Sequence, residues 1–119
     1  MQEIRSIRPF IGARDYGQSR AFYLDLGFSE SVISPTMSLF SLDGTAFYLQ
    51  DYFVEDWISN TMMLLEVAHV EQFWQFLTGL NLGDKYPGIR LIPIRQNDWG
   101  DECMLIDPSG VLWHFAEFR

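Results

Sequence analysis

His114 has the widest choice of chemistry in the chain. It stands in Val111 to Phe118, V-L-W-H-F-A-E-F, a stretch of strand-forming aromatic and apolar residues. Side chains alternate along a strand, so Leu112, His114, Ala116 and Phe118 share one face; Val111, Trp113, Phe115 and Glu117 share the other. An imidazole among apolar neighbours can ligate a metal, act as a general base or bond a bound molecule. It can equally be a satisfied structural residue. Arg8 poses a similar choice, because a buried guanidinium needs an anionic partner. That partner is either Glu66, which shares a strand face with Met62 and Leu64, or the carboxylate of a ligand. Tyr48 can orient a ligand or simply pack. Trp57 sits among Asp51, Glu55 and Asp56, and Trp99 among Asp98, Asp101 and Glu102. Aromatic rings beside carboxylates suit a cationic, partly planar ligand; the plainer reading is a pair of solvated acidic loops. No nucleophile–base pair has a recognisable spacing and no Gly-rich phosphate loop is present, so no catalytic residue is assigned.

These residues must be positioned by strands and short helices. Ser6 to Arg14 reads as a first strand, with Arg8, Phe10 and Gly12 on one face. Asp15 is a suitable N-cap for a helix over Ser19 to Leu26, which Gly27 ends. Strands follow at Phe28–Ile33, Met37–Leu42 and Thr45–Tyr52, the last two joined by the hairpin signal Asp43-Gly44. Phe53 to Thr61 reads as a connector. The pattern then repeats: a strand at Met62–Val67, a helix at Val70–Leu80, a strand broken by prolines over Lys85–Gln96, and a loop at Asn97–Asp101. A hairpin of Glu102–Ile106 and Val111–Phe118 closes the chain around Asp107-Pro108-Ser109-Gly110, a turn with local acceptor, fixed φ and free φ in order. The expected fold is α+β: two tandem βαβββ modules, about 5–52 and 61–118 of one domain, forming curved mixed sheets around a concave cavity.

Composition narrows the function. The 119 residues are 48% hydrophobic and 16% aromatic, enough for a substantial core with rings left over for a cavity or a subunit contact. A net charge of −8 argues against nucleic acid and permits a cationic ligand. The single Cys103 excludes an internal disulfide and a multi-cysteine metal site. No apolar run approaches the ~20 residues of a membrane span, and no signal peptide is evident. A soluble cytoplasmic protein is expected.

Arg14-Asp15, Ser19, Ala21-Phe22-Tyr23 and Leu26-Gly27-Phe28, together with Asp107-Pro108-Ser109-Gly110, resemble the vicinal-oxygen-chelate superfamily over nearly the whole chain. That group includes glyoxalase I, extradiol dioxygenases, fosfomycin-resistance enzymes and bleomycin-resistance proteins. The resemblance implies four metal-ligand positions. They fall on Arg8, on Gln50, on Met62 (Thr61 in a shifted register) and on His114. An arginine cannot ligate and a thioether suits hard metals poorly, so no metal and no cofactor are expected. The likeness is closest to the metal-free, bleomycin-resistance-like branch, with Trp99-Gly100 as a further shared feature. It implies a homodimer that binds or sequesters a cationic aromatic compound or antibiotic through Arg8, Tyr48, Gln50, Trp57, Met62, Glu66, Trp99, Leu112 and His114. The alternative is a metal-dependent or metal-free lyase, isomerase or dioxygenase of the same superfamily.

Overall fold

The first helix begins where its cap allows. The Asp15 carboxylate accepts from the amide of Gln18 at 3.0 Å, and α1 (Tyr16–Asp25) follows directly, one turn earlier than its apolar spacing indicated. Gly27, at φ +108°, turns the chain out of the helix in a conformation that disfavours a side chain. In the computed structural model, which describes residues 2–119, α1 lies between β1 (Phe10–Gly12) and a meander of β2 (Ser29–Ser34), β3 (Met37–Leu42) and β4 (Thr45–Gln50). The second half supplies α2 (Glu55–Ser59), β5 (Met62–Glu66), α3 (Val70–Gly79), α4 (Leu82–Lys85), β6 (Arg90–Asn97), β7 (Gly100–Ile106) and β8 (Leu112–Phe118).

The expected repeat is present in the topology. One four-stranded sheet has the order β1-β4-β3-β2, the other β5-β8-β7-β6. In each, the first strand pairs parallel with the last while the remaining pairs are antiparallel. The inward faces share one core. Tyr23 of α1 packs on Phe40 and Phe47 of the first sheet, Phe22 beside it packs on Tyr86, Phe73 of α3 packs on Phe115 of the second, and Trp113 joins the two. Much of the aromatic surplus is therefore spent in the core, as T-shaped and stacked contacts.

A buried polar relay fastens the modules. The turn carboxylate of Asp107 is 1% exposed. One of its oxygens accepts from the amides of Ser109, Gly110 and Val111, each at 2.9 Å. The other accepts from the Tyr23 hydroxyl at 2.5 Å, and the Trp113 indole N–H donates to that hydroxyl at 2.9 Å. Ser109 bonds the hydroxyl of Ser19 and accepts from the Arg14 amide. The two sequence signatures thus meet in space. Burial pushes the Asp107 carboxyl up against the opposing pull of these bonds, and burial beside Asp107 pushes the Tyr23 phenol well up.

Four expectations need correction. The first strand is only Phe10–Gly12: Pro9 offers no N–H to an edge ladder, although its carbonyl still accepts from the Tyr48 amide, and Arg8 lies before the strand in an exposed segment. The connector contains α2, whose Glu55 and Asp56 suit a helix start and whose Ile58 is buried. The short α4 takes up the start of the segment read as a broken strand; β6 proper is bulged between Ile92 and Arg95, around Pro93. The loop at Asn97–Asp101 is a tight turn at Asp98-Trp99, with Asn97 already paired to Gly100. A Cβ at Gly100 would collide with the carbonyl of Glu117, so glycine is what lets β7 close on β8 there.

Tyr23→Phe strands an indole donor and a carboxylate acceptor in the core, and should destabilise the fold by about 1–3 kcal/mol in urea unfolding; a loss below ~0.5 kcal/mol would mean the relay is not a stabilising link. Arg20 clamps Glu30 with two bonds, at 2.6 and 3.0 Å, and holds its carboxyl below the usual value of 4.5. A carboxyl depressed on folding stabilises at pH above its unfolded value and loses that contribution as pH falls. The drop in urea midpoint from pH 7 to pH 3 should therefore be smaller in Arg20→Met than in the wild type.

Candidate functional site

Each sheet turns one face to the core and leaves the other open. On β8, Trp113 and Phe115 point inward, so the period of two sends Leu112, His114 and Ala116 to the open face. Register builds that face in rows. Met62 lies beside Leu112 and then Ile106; Leu64 beside His114 and then Met104; Glu66 beside Ala116 and then Glu102. His114 is the centre of this array. Its Nδ1 lies 3.0 Å from Glu102 Oε2, with the two side chains 21% and 11% exposed. An ionised carboxylate only accepts, so the imidazole donates and its ring is held in one orientation.

Over this pair runs a groove of about 370 Å³ lined by Met62, Met63, Leu64, Trp99, Glu102 and His114. Trp99 reaches it from the β6–β7 turn. Its ring lies 5.3 Å from that of Phe118, and the turn beneath is tied down by Arg119, which donates to Asp101 at 2.7 Å and to the Asn97 carbonyl at 3.3 Å. The groove is therefore apolar in its walls, aromatic at one end and carboxylate-backed in the middle. Three residues expected from the sequence, Met62, Trp99 and His114, come together in it, and Leu112 adjoins Met62.

The other expected residues lie elsewhere. Arg8, Tyr48 and Gln50 belong to the open side of the first sheet, where the Arg8 guanidinium donates to the Tyr48 hydroxyl at 3.3 Å and the Tyr48 ring stacks on Phe10 at 4.9 Å. The Arg8–Glu66 ion pair is not formed: Glu66 lines a separate groove of about 440 Å³ with Asp43, His69 and Phe76. Trp57 is on α2, 64% exposed and 5.8 Å from Tyr52. His69 stands at the N-cap of α3 without a side-chain cap bond; Glu117 caps the helix instead, accepting from the Val70 amide at 2.9 Å. Cys103 faces the core, where burial raises its thiol to about 11. Sequence reasoning put Glu102 at the start of its strand but grouped it with the carboxylates flanking Trp99, and so missed it as the partner of His114. Its alternation with Met104 and Ile106 was the available signal.

The donor set does not fit a divalent metal. Arg8 has no lone pair to offer, and Met62 presents a soft thioether. His114 has only Glu102 beside it, and among the described residues no three His, Cys, Asp or Glu side chains converge on one point.

No protein-family model and no curated protein matches the sequence. Solved structures do. A bleomycin-binding protein from bleomycin-producing Streptomyces verticillus, solved with copper(II)-bleomycin, superposes with a TM-score of 0.83 at 19% identity, over 100% of both chains. An antibiotic-binding protein from a Streptomyces species gives 0.77 at 18% identity, again over 100% of both chains. A lactoylglutathione lyase from Agrobacterium tumefaciens gives 0.73 at 16%, covering 98% of this chain and 96% of its own. Identities this low speak for the fold alone. With its paired four-stranded sheets and the Asp107 turn locked onto α1, the chain has the fold that these bleomycin-binding and glyoxalase-family structures share.

Proposed function

We propose that this protein is a metal-independent small-molecule-binding protein that works as a homodimer and binds or sequesters a cationic aromatic compound, bleomycin-like antibiotics included. The observation that carries this reading is the groove on the second sheet: Trp99 and His114 over methionine and leucine walls, with Glu102 its one carboxylate. An indole offers stacking and cation–π attraction, and a half-buried carboxylate favours positive charge. The net charge of −8 works in the same direction. Neighbours of the same fold bind bleomycin and another antibiotic, which supports the ligand class.

The open faces support the dimer. Phe10 is 55% exposed on the first sheet, and Met62 and Leu64 are 64% and 51% exposed on the second. Apposing the first sheet of one copy to the second sheet of another would cover these side chains. It would also bring Arg8, Tyr48 and Gln50 opposite Met62, Leu112 and His114, with Trp57 at the rim, so the expected set apart from Glu66 would line one cleft. A second reading, a metal-free lyase or isomerase, rests on the carboxylate-oriented imidazole, which is a general-base arrangement. Proton abstraction also needs a group to stabilise the resulting anion. Within one chain the groove residues supply no cation, and the Arg8 guanidinium that apposition would bring opposite already donates to Tyr48, so binding is the better-supported reading.

Bleomycin titrated into the protein should quench indole fluorescence, and Trp99→Ala should weaken that binding by about tenfold. Unchanged affinity in Trp99→Ala would displace the site. In equilibrium dialysis against Zn²⁺, Mn²⁺, Ni²⁺ and Fe²⁺, no stoichiometric metal should be retained; one tightly held ion per chain would sink the metal-independent reading. Sedimentation should give a dimer that Leu64→Glu converts to monomer.

A further inference from the structure

The contact between His114 and Glu102 decides more than ring orientation. At neutral pH a carboxylate has no proton to give, so the 3.0 Å contact places the proton of a neutral imidazole on Nδ1. Nε2 then carries a lone pair. No group among the described residues bonds Nε2, and the side chain lines the groove between Leu64 and Met104. In free solution the other tautomer is the commoner one. The strand pairing that puts Glu102 behind the ring therefore sets what the groove can recognise, and it presents an acceptor, not a donor.

We infer that His114 Nε2 is the specificity-determining acceptor of this groove: it takes an N–H donor, such as an amidinium, ammonium or aromatic amine, carried on a planar ring that lies against Trp99. Glu102 is the positioning residue that holds the tautomer. The inference rests on the small-molecule-binding reading and narrows its ligand class. Acceptor-only anions are excluded twice over. They find no donor at Nε2, and the Glu102 charge behind the ring opposes them. A site built around one hydrogen bond rejects molecules that cannot make it, because a half-buried polar group is then left unpaired.

Two measurements on the 119-residue chain test this. Long-range ¹H–¹⁵N correlation spectra of labelled protein at pH 7.5 report the tautomer directly. His114 should show a protonated Nδ1 and an unprotonated Nε2, and Glu102→Ala should reverse them. A merely structural Glu102 would leave the tautomer unmoved. Benzamidine and benzoate, alike in shape and opposite in charge and donor content, are then titrated as probes. Benzamidine should shift the His114 and Trp99 resonances, benzoate should not, and His114→Phe should weaken benzamidine by about tenfold. An Nε2-protonated wild type, or benzoate binding as well as benzamidine, overturns the inference while leaving bleomycin binding to stand on its own result. If the tautomer is as expected but neither benzamidine nor bleomycin binds, the small-molecule reading falls and takes this inference with it.

Discussion

A carboxylate that is buried must be satisfied, and Asp107 is the group on which this structure turns. Left unpaired at 1% exposure, it would oppose folding by several kcal/mol. It is instead closed in by three turn amides and the Tyr23 hydroxyl, with Trp113 extending the chain of donors. Each partner fixes a different element. The amides set the turn between β7 and β8, Tyr23 brings α1 against that turn, and Trp113 locks the inward face of β8. Ser109 adds the start of α1 through Ser19 and the Arg14 amide. Two modules that could each fold a sheet are thereby given one relative placement.

The site is a by-product of that placement. Once Trp113 is committed to the core, strand alternation leaves His114 no choice of face. Pairing with β7 then sets Met104 beside it and Glu102 one row on, close enough for the hydrogen bond. Pairing with β5 sets Leu64 on the other side. The same register carries Trp99 over the groove, because Gly100 lets the β6–β7 turn approach the backbone of β8. So the chemistry at Nε2 is traceable to backbone pairing fixed by a turn some way along the strand.

Most of this was legible in the sequence wherever local physics decides. Asp15 as cap, Asp43-Gly44 as hairpin, Asp107 to Gly110 as turn and the two faces of β8 all follow from nearest neighbours and period. The failures are of another kind. Arg8 was placed on a strand because its neighbours alternate, but one proline at a sheet edge ends the ladder there. Glu102 was read as the first residue of its strand but grouped with the carboxylates around Trp99, yet the turn needs only Asp98 and Trp99, and strand register sets Glu102 one row from His114. The Arg8–Glu66 pair assumed that two open faces of one chain look at each other. Arg8 and Glu66 line no common groove within the chain, which no periodicity could reveal.

That separation is what makes the second sheet's open face difficult to leave bare. Exposed methionine and leucine on β5 sit at an edge of their sheet, bordering an apolar cleft of about 270 Å³ lined by Pro9, Ala46, Phe47 and Trp113. Exposed apolar strands at a sheet edge invite association. Repulsion at a net charge of −8 opposes indiscriminate association and leaves complementary contact as the permitted kind. A ring-bearing cation fits that condition at the groove, since it covers apolar wall and offsets charge together. On the proposed reading, the acidic surface and the apolar groove would be two halves of one selection rule, favouring what is both aromatic and positive over what is only one of these.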